Sequence, residues 1–300
     1  MRAGGPIVST AVSPAIRPAR PRARWLSDHV IFNLLIAPAF ILLVVFYLYP
    51  VARVLWISVT EPAFGLDNYR ELASPSVIRV AWNTARICTT ATLITLLLSY
   101  LVAYALTHAS IRVQRLMMLG VLLPLWVSVL VRSFAWVVLL RREGVINTML
   151  LNSGITQQPL AMIWNEFGVM VGVVHYMLPY GILPLVANMR QINPAFMAAA
   201  RGLGASRTQA FRRVFLPLSM PGLIAAGVLV FIFSLGFYVT PTLLGGGRIV
   251  LITEYISTQI LDVLRWGMGT MLATSLVIVI ALLLALLSRA VDLRKTFGTR

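Results

Sequence analysis

Residues 193–217 read NPAFMAAARGLGASRTQAFRRVFLP, and the fold turns on what this stretch can form. Asn193 before Pro194 is a helix start: a capping side chain, then a proline at the first helical position, where its missing N–H costs nothing. The run from Ala195 to Leu203 is rich in helix formers. Gly204 can take the left-handed conformation that ends a helix. Ser206, with Gln209 three residues on, spells a capping box that starts a second helix. Phe211, Val214 and Phe215 give that helix an apolar face at three-to-four spacing, and Arg207, Arg212 and Arg213 occupy its other faces. Leu216-Pro217 is expected to close it. The stretch therefore predicts two short helices joined by a tight turn, with Phe196, Ala199, Ala200, Leu203 and Phe211 on their faces. Small alanines let another surface approach closely. Two readings follow from the residues: a partner protein grips this pair, or an Arg-rich amphipathic segment lies on anionic lipid.

The stretch belongs to a polar segment, 190–219, set between long apolar runs. The chain of 300 residues is 59% hydrophobic and only 11% charged, against about 25% charged in ordinary soluble domains. Six stretches are long and apolar enough to cross a bilayer of about 30 Å: 31–59, 84–106, 116–140, 166–189, 220–244 and 268–288. The expected fold class is an all-α integral membrane protein of six transmembrane helices with a helix-turn-helix loop between the fourth and fifth. Residues 1–30, rich in Pro and Arg, read as a tail, as do residues 291–300; the core is expected over 79–290. The apolar run from Val30 to Tyr49 is too long for a signal peptide and no small-residue cleavage site follows, so it reads as a retained helix. Prolines inside the spans, such as Pro124, Pro179, Pro184, Pro221 and Pro241, imply kinks whose freed carbonyls need partners. Gly168 and Gly172 form a small-xxx-small pair that lets two helices come close.

Charge orients the spans. With the N-terminus inside, the inner segments hold sixteen cations against Asp28 and Asp292. The outer segments balance: Arg70, Arg79, Arg86, Arg141, Arg142, Arg248 and Arg265 against seven acids. Short inner loops collect Lys and Arg, so both termini are expected in the cytoplasm. The net charge of +16 is then a statement of topology, and a nucleic-acid partner is not expected, because the basic residues are spread over four short segments rather than one face.

Several chemistries are excluded. Cys88 is the only cysteine, so there is no intrachain disulfide and no Cys-pair metal site. His29, His108 and His175 are far apart in sequence and receive no chemical role. The single lysine, Lys295, follows Arg294, so no Gly-Lys phosphate loop exists and any ATP use must come from another chain. Neither an acid-rich nor a His-rich catalytic cluster appears, so an enzyme is not expected. Arg132 is the charge expected deepest in a span, where a cation costs about 2.5–3.5 kcal/mol on insertion scales. It either faces a solute pathway, with Trp136 one turn away, or snorkels outward or pairs with a carboxylate such as Glu166. Tyr238 and Thr240, beside Pro241, are further pathway candidates.

The spacing Ala198-Ala199-Ala200-x3-Gly204-x9-Val214-x-Leu216-Pro217 resembles the EAA loop of binding-protein-dependent ABC transporter permeases, E-A-A-x3-G-x9-I-x-L-P. Ala198 stands where that family has Glu, and Val214 where it has Ile. The run from Leu123 to Trp136, then Gly144-Val145-Ile146-Asn147, and Phe237-Tyr238-Val239-Thr240-Pro241 with Leu244-Gly245-Gly246 look like the spermidine/putrescine-type subfamily.

The resemblance implies a type I ABC importer permease fold in a bacterial inner membrane, forming half of a solute pathway. It implies two copies of a cytoplasmic ATPase, a second and different permease, and an extracytoplasmic solute-binding protein. ATP-Mg would sit in the ATPase, with no cofactor in this chain. The implied ATPase-coupling loop comprises Phe196, Ala198, Ala199, Ala200, Arg201, Gly204, Ala205, Phe211, Val214, Leu216 and Pro217. Solutes of polyamine type are implied, although a deep arginine is an awkward lining for a cation. The alternative is a secondary transporter or channel subunit acting without an ATPase; such proteins more often carry intramembrane carboxylates, and the acids here map to loops and helix ends.

Overall fold

The computed structural model describes residues 28–290, with side chains from 35 to 286; the two tails expected at 1–30 and 291–300 lie wholly or mostly outside them. The chain divides into two units, residues 1–52 and 53–300. In the first, α1 (Asp28–Leu43) runs through a π turn, Val44–Leu48, into α2 (Tyr49–Thr60), which continues into the second.

The second unit then holds α3 (Asp67–Arg70), α4 (Pro75–His108), α5 (Ile111–Trp126), α6 (Val129–Leu140), α7 (Val145–Asn152) and α8 (Glu166–Met189). Next come α9 (Pro194–Gly202), α10 (Arg207–Ala210), a second π turn (Phe211–Phe215), α11 (Leu216–Leu235), α12 (Val239–Gly245), α13 (Ile252–Leu261) and α14 (Trp266–Ala290). No strand occurs among the described residues.

Five helices are long and apolar enough to cross a membrane, at Leu35–Thr60, Pro75–His108, Glu166–Met189, Arg207–Leu235 and Trp266–Leu286. The third expected span, 116–140, is not one straight helix. It breaks at Val127-Ser128, and the segments Ile111–Trp126 and Val129–Asn152 are bent by 103°. Both sides of the break are apolar, so composition alone reads through it. Pro124 weakens the last turn of α5, and Ser128 carries extended backbone before α6.

Two other boundaries differ. The second span begins at Pro75, earlier than 84, because Ser74 Oγ accepts from Val77 N (3.4 Å) and Pro75 takes the first helical position. Its 34 residues extend about 51 Å, so the helix outruns the hydrocarbon. The fifth span ends at Leu235 rather than 244, at Gly236; Pro241 then falls in the first turn of α12, where no N–H is needed.

Leu216-Pro217 does not close the second loop helix. The helix is continuous from Arg207 to Leu235. Pro217 cannot donate to Arg213, and its ring would crowd that carbonyl in a regular helix. The π turn Phe211–Phe215, with Leu216 N–H bonded to Phe211 O, absorbs the mismatch. Pro50 follows Val44–Leu48 in the same register, with Tyr49 N–H bonded to Val44 O.

The core sits where α8 lies against α4 and α11. One cluster gathers Ile87, Ala91, Val169, Val173, Met177, Val230 and Leu244; another gathers Ala103, Leu106, Leu185, Met189, Phe215 and Ala226. Glycines set the helix spacing. A Cβ at Gly172 would strike the side chains of Leu244 and Thr240, and one at Gly181 would strike Ser99. Gly172 of the small-xxx-small pair thus seats α12 on α8.

Candidate functional site

The 193–217 stretch forms an outward knob and an inward anchor. Asn193 Oδ1 accepts from Ala195 N (2.9 Å), fixing the start of α9. Gly204 has φ +88°, and nothing lies within 4 Å of where its Cβ would stand. Ser206 and Gln209 make the reciprocal capping box, Gln209 N to Ser206 Oγ at 3.2 Å and Ser206 N to Gln209 Oε1 at 2.9 Å. Phe196, Ala198, Ala199, Arg201, Leu203 and Gly204 are exposed, while Ala200, Ala205, Val214 and Leu216 are half-buried and Pro217 is exposed. Leu203, at 91% exposure, is an apolar side chain held in the open.

The anchor is aromatic. Phe211 meets Tyr104 edge-on at 5.5 Å and Tyr100 at 6.3 Å, and Phe215 meets Tyr104 at 5.3 Å and His108 at 5.7 Å. Tyr100 Oη and Ser219 Oγ lie 2.8 Å apart, and Ser219 Oγ donates to Leu216 O (2.9 Å). Sequence reasoning found Phe211 and Phe215 but not Tyr100, Tyr104 or His108. These three lie on the last two turns of α4 at i, i+4, i+8, a stripe that was legible as a packing face though not as this partner.

Arg132 is buried beside the break in the third span. It lies in the first turn of α6, just past the break, and is 8% exposed. Its Nη2 donates to Pro124 O, which also accepts from Val127 N (3.3 Å), and to Val127 O (2.9 Å), carbonyls at the broken end of α5. Its guanidinium sits over the Tyr176 ring, 4.8 Å from the centroid. It does not pair with Glu166, which binds Arg86 (2.5 Å) instead. Trp136 Nε1 donates to His175 Nδ1 (3.1 Å), so His175 has a defined partner after all.

Thr240 is buried, its hydroxyl 2.7 Å from Ser133 Oγ. Tyr238 is exposed, with Ser257 Oγ 3.4 Å from its hydroxyl. Tyr176, Tyr180, Phe233 and Phe237 form a chain of ring contacts at 4.4–5.9 Å, with Arg132 seated over Tyr176. Of the four pathway candidates, Arg132 meets this cluster at Tyr176; its Nη2 is engaged, while its Nε and Nη1 are buried with no hydrogen-bond partner among the described residues, and the Thr240 hydroxyl is engaged by Ser133.

Long apolar helices with an exposed helix pair between two of them mark a multi-pass integral membrane protein. Residues 95–296 match the family described as binding-protein-dependent transport system inner membrane component. The chain belongs to that family: it is the permease of an ABC importer. It is 34% identical over 225 residues to the spermidine/putrescine transport system permease protein PotB of Haemophilus influenzae, covering 75% of this chain and 79% of that one. PotB of Escherichia coli is 32% identical over 233 residues, covering 78% and 85%. A chain of the bacterial alginate ABC transporter, solved with an alginate pentasaccharide-bound periplasmic protein, superposes with a TM-score of 0.75 at 22% identity, covering 90% of this chain and 96% of that one. That likeness is one of fold.

The protein is therefore a multi-pass inner-membrane transport component and not an enzyme. ATP hydrolysis belongs to a separate ATPase, and the family works with an ATPase, a second permease and a solute-binding protein. A carrier acting without an ATPase is not favoured.

Proposed function

We propose that residues 193–217 are the element that couples this permease to its ATPase. The observation that carries the reading is continuity: α10, the π turn and α11 are one helix from Arg207 to Leu235. A push on the exposed knob at Phe196 to Leu203 passes through the Gly204 turn into a spanning helix, and through the Phe211–Tyr104–Phe215 contacts into α4. Two ATPase copies closing on ATP-Mg would rock the spans between inward-open and outward-open states. This chain supplies half of the pathway, a different permease the other half, and no cofactor binds here. Both termini are cytoplasmic in this reading, which the excess of cations in the segments assigned inside supports.

The solute is a small organic molecule of polyamine type, as the names of the relatives imply. Arg132 keeps its positive charge, with Nη2 held by two carbonyls and Nε and Nη1 without a partner among the described residues, so a cationic solute would pass clear of it. The test is Gly204→Asp with uptake of labelled spermidine and putrescine. It forces a strained left-handed residue and a charge onto the knob. Uptake is expected to fail while membrane insertion survives; normal uptake would reject the coupling role.

A further inference from the structure

On the side of α5 nearest the end of α8, an open groove of about 380 Å³ is lined by Ile111, Gln114, Arg115, Met118, Leu119, Leu122 and Arg190. The α5 residues fall at i, i+3, i+4, i+7, i+8 and i+11, one stripe along the helix. That stripe is about 16 Å long. Its polarity is graded: Gln114 and Arg115 stand near the start of α5, and Met118, Leu119 and Leu122 follow toward the helix centre. Because α8 runs antiparallel and ends at Met189, Arg190 joins Arg115 at the same end.

Both arginines are exposed, and among the described residues neither has a carboxylate within salt-bridge distance. The sequence holds no Asp or Glu from 72 to 142 or from 167 to 253, so no neighbour along either helix offers one. No residue of α5 is buried. The groove thus joins an uncompensated pair of guanidinium groups to a strip of hydrocarbon, aligned along a helix that enters the membrane from the arginine end.

We propose that this groove holds an anionic phospholipid of the inner leaflet, with its phosphate between Arg115 and Arg190 and an acyl chain along Met118, Leu119 and Leu122. Guanidinium groups match phosphate oxygens in a forked geometry, and basic pockets at the cytoplasmic ends of spanning helices suit anionic headgroups. Arg190 also precedes α9 by four residues, so an occupied groove would steady the root of the coupling stretch.

The assembled transporter, purified in detergent, is exchanged with an equimolar mixture of phosphatidylglycerol and phosphatidylcholine, and retained lipid is counted by native mass spectrometry. Each arginine near an anionic headgroup is worth about a fivefold preference, so wild type is expected to favour phosphatidylglycerol by about 30-fold. R115Q/R190Q is expected to fall to near parity, while R141Q/R142Q, on another loop, keeps the wild-type preference. Retention in wild type should also weaken as salt is raised, a readout that needs no variant. Equal retention of the two lipids by wild type, or an unchanged preference in R115Q/R190Q, overturns the proposal. Displacement of the lipid by an equal concentration of inorganic phosphate also overturns it, since the apolar strip would then contribute nothing. In membranes, a thiol-anchored photocross-linker on L119C is expected to label lipid, Cys88 being buried; an adduct with the second permease would assign the groove to that subunit instead.

Discussion

The Arg132 guanidinium lies 4.8 Å from the centroid of the Tyr176 ring, joining the turn after the α5 break to the middle of α8. The same guanidinium holds Pro124 O and Val127 O, so one side chain both closes the broken helix end and docks it on the core. Arg132→Leu keeps the apolar bulk but forfeits the hydrogen bonds to Pro124 O, which keeps that from Val127 N, and to Val127 O, at about 1 kcal/mol each, together with the ring contact. Tyr176→Leu removes only the ring contact, worth about 0.5–2 kcal/mol. Thermal melts of the purified permease should therefore rank Arg132→Leu as the more destabilised; equal melting temperatures in all three proteins would mean that the break is held by something else.

Gly204 separates strain from charge. Its φ of +88° is costly for any side chain, yet a Cβ there meets nothing. Gly204→Ala should cost about 1–2 kcal/mol of local backbone energy and add no steric or electrostatic obstacle. Reduced but measurable uptake is expected for Ala, against none for Asp. If Ala abolishes uptake as completely as Asp, the turn geometry alone is what the ATPase reads, and charge at the knob plays no part.

Asn147 pins the loop from 141 to 160. It is fully buried; its Nδ2 donates to Arg141 O and Leu160 O, both at 3.0 Å, and its Oδ1 accepts from Leu160 N at 2.8 Å. Asn147→Ala forfeits three hydrogen bonds, about 3 kcal/mol at about 1 kcal/mol net for each. Asn147→Asp should be worse, since it replaces two donors with an unpaired buried acceptor. Limited proteolysis should cut between 141 and 160 faster in both variants, with Asp the faster; a cleavage rate equal to wild type in Asn147→Asp would show that the loop is held elsewhere.

Apolar runs, prolines and caps were legible in the sequence because each depends on neighbours a few residues away. Asn193, Pro194, Gly204, Ser206 and Gln209 all act locally, and the helix starts they mark are found in the structure. The break at Val127-Ser128 was hidden because hydrophobicity is the same on both sides, so a span of suitable length and composition gives no sign of a 103° bend. The π turns were hidden for a related reason: Pro217 reads as a helix stop unless the extra residue that accommodates it is known. Partners far apart in sequence were beyond reach. Arg132 had Glu166 as an apparent counterion, yet Glu166 faces Arg86 and Arg132 faces an aromatic ring. Charge pairing alone could not foresee that choice, because carbonyls at the break competed for the same guanidinium.

Glu254 gives the chain a pH dependence of definite sign. It lies in the first turn of α13, outside the long apolar helices, is 9% exposed, and its Oε2 has no hydrogen-bond partner among the described residues. Burial pushes its carboxyl above the ordinary value of 4.5, with the Thr242 hydroxyl pulling weakly the other way. The folded protein therefore holds this proton more tightly than the unfolded chain does. The stability it confers is complete below the ordinary carboxylate value and is lost as pH rises through the raised one. Glu254→Gln keeps the shape and cannot ionise. Melting temperatures of wild type should fall relative to Glu254→Gln as pH rises above the ordinary carboxylate value of 4.5, and the two should differ by a constant amount below it. Parallel curves across the whole range would mean that the Glu254 carboxyl ionises without leaving a favourable environment, and that water or a neighbouring subunit reaches its Oε2.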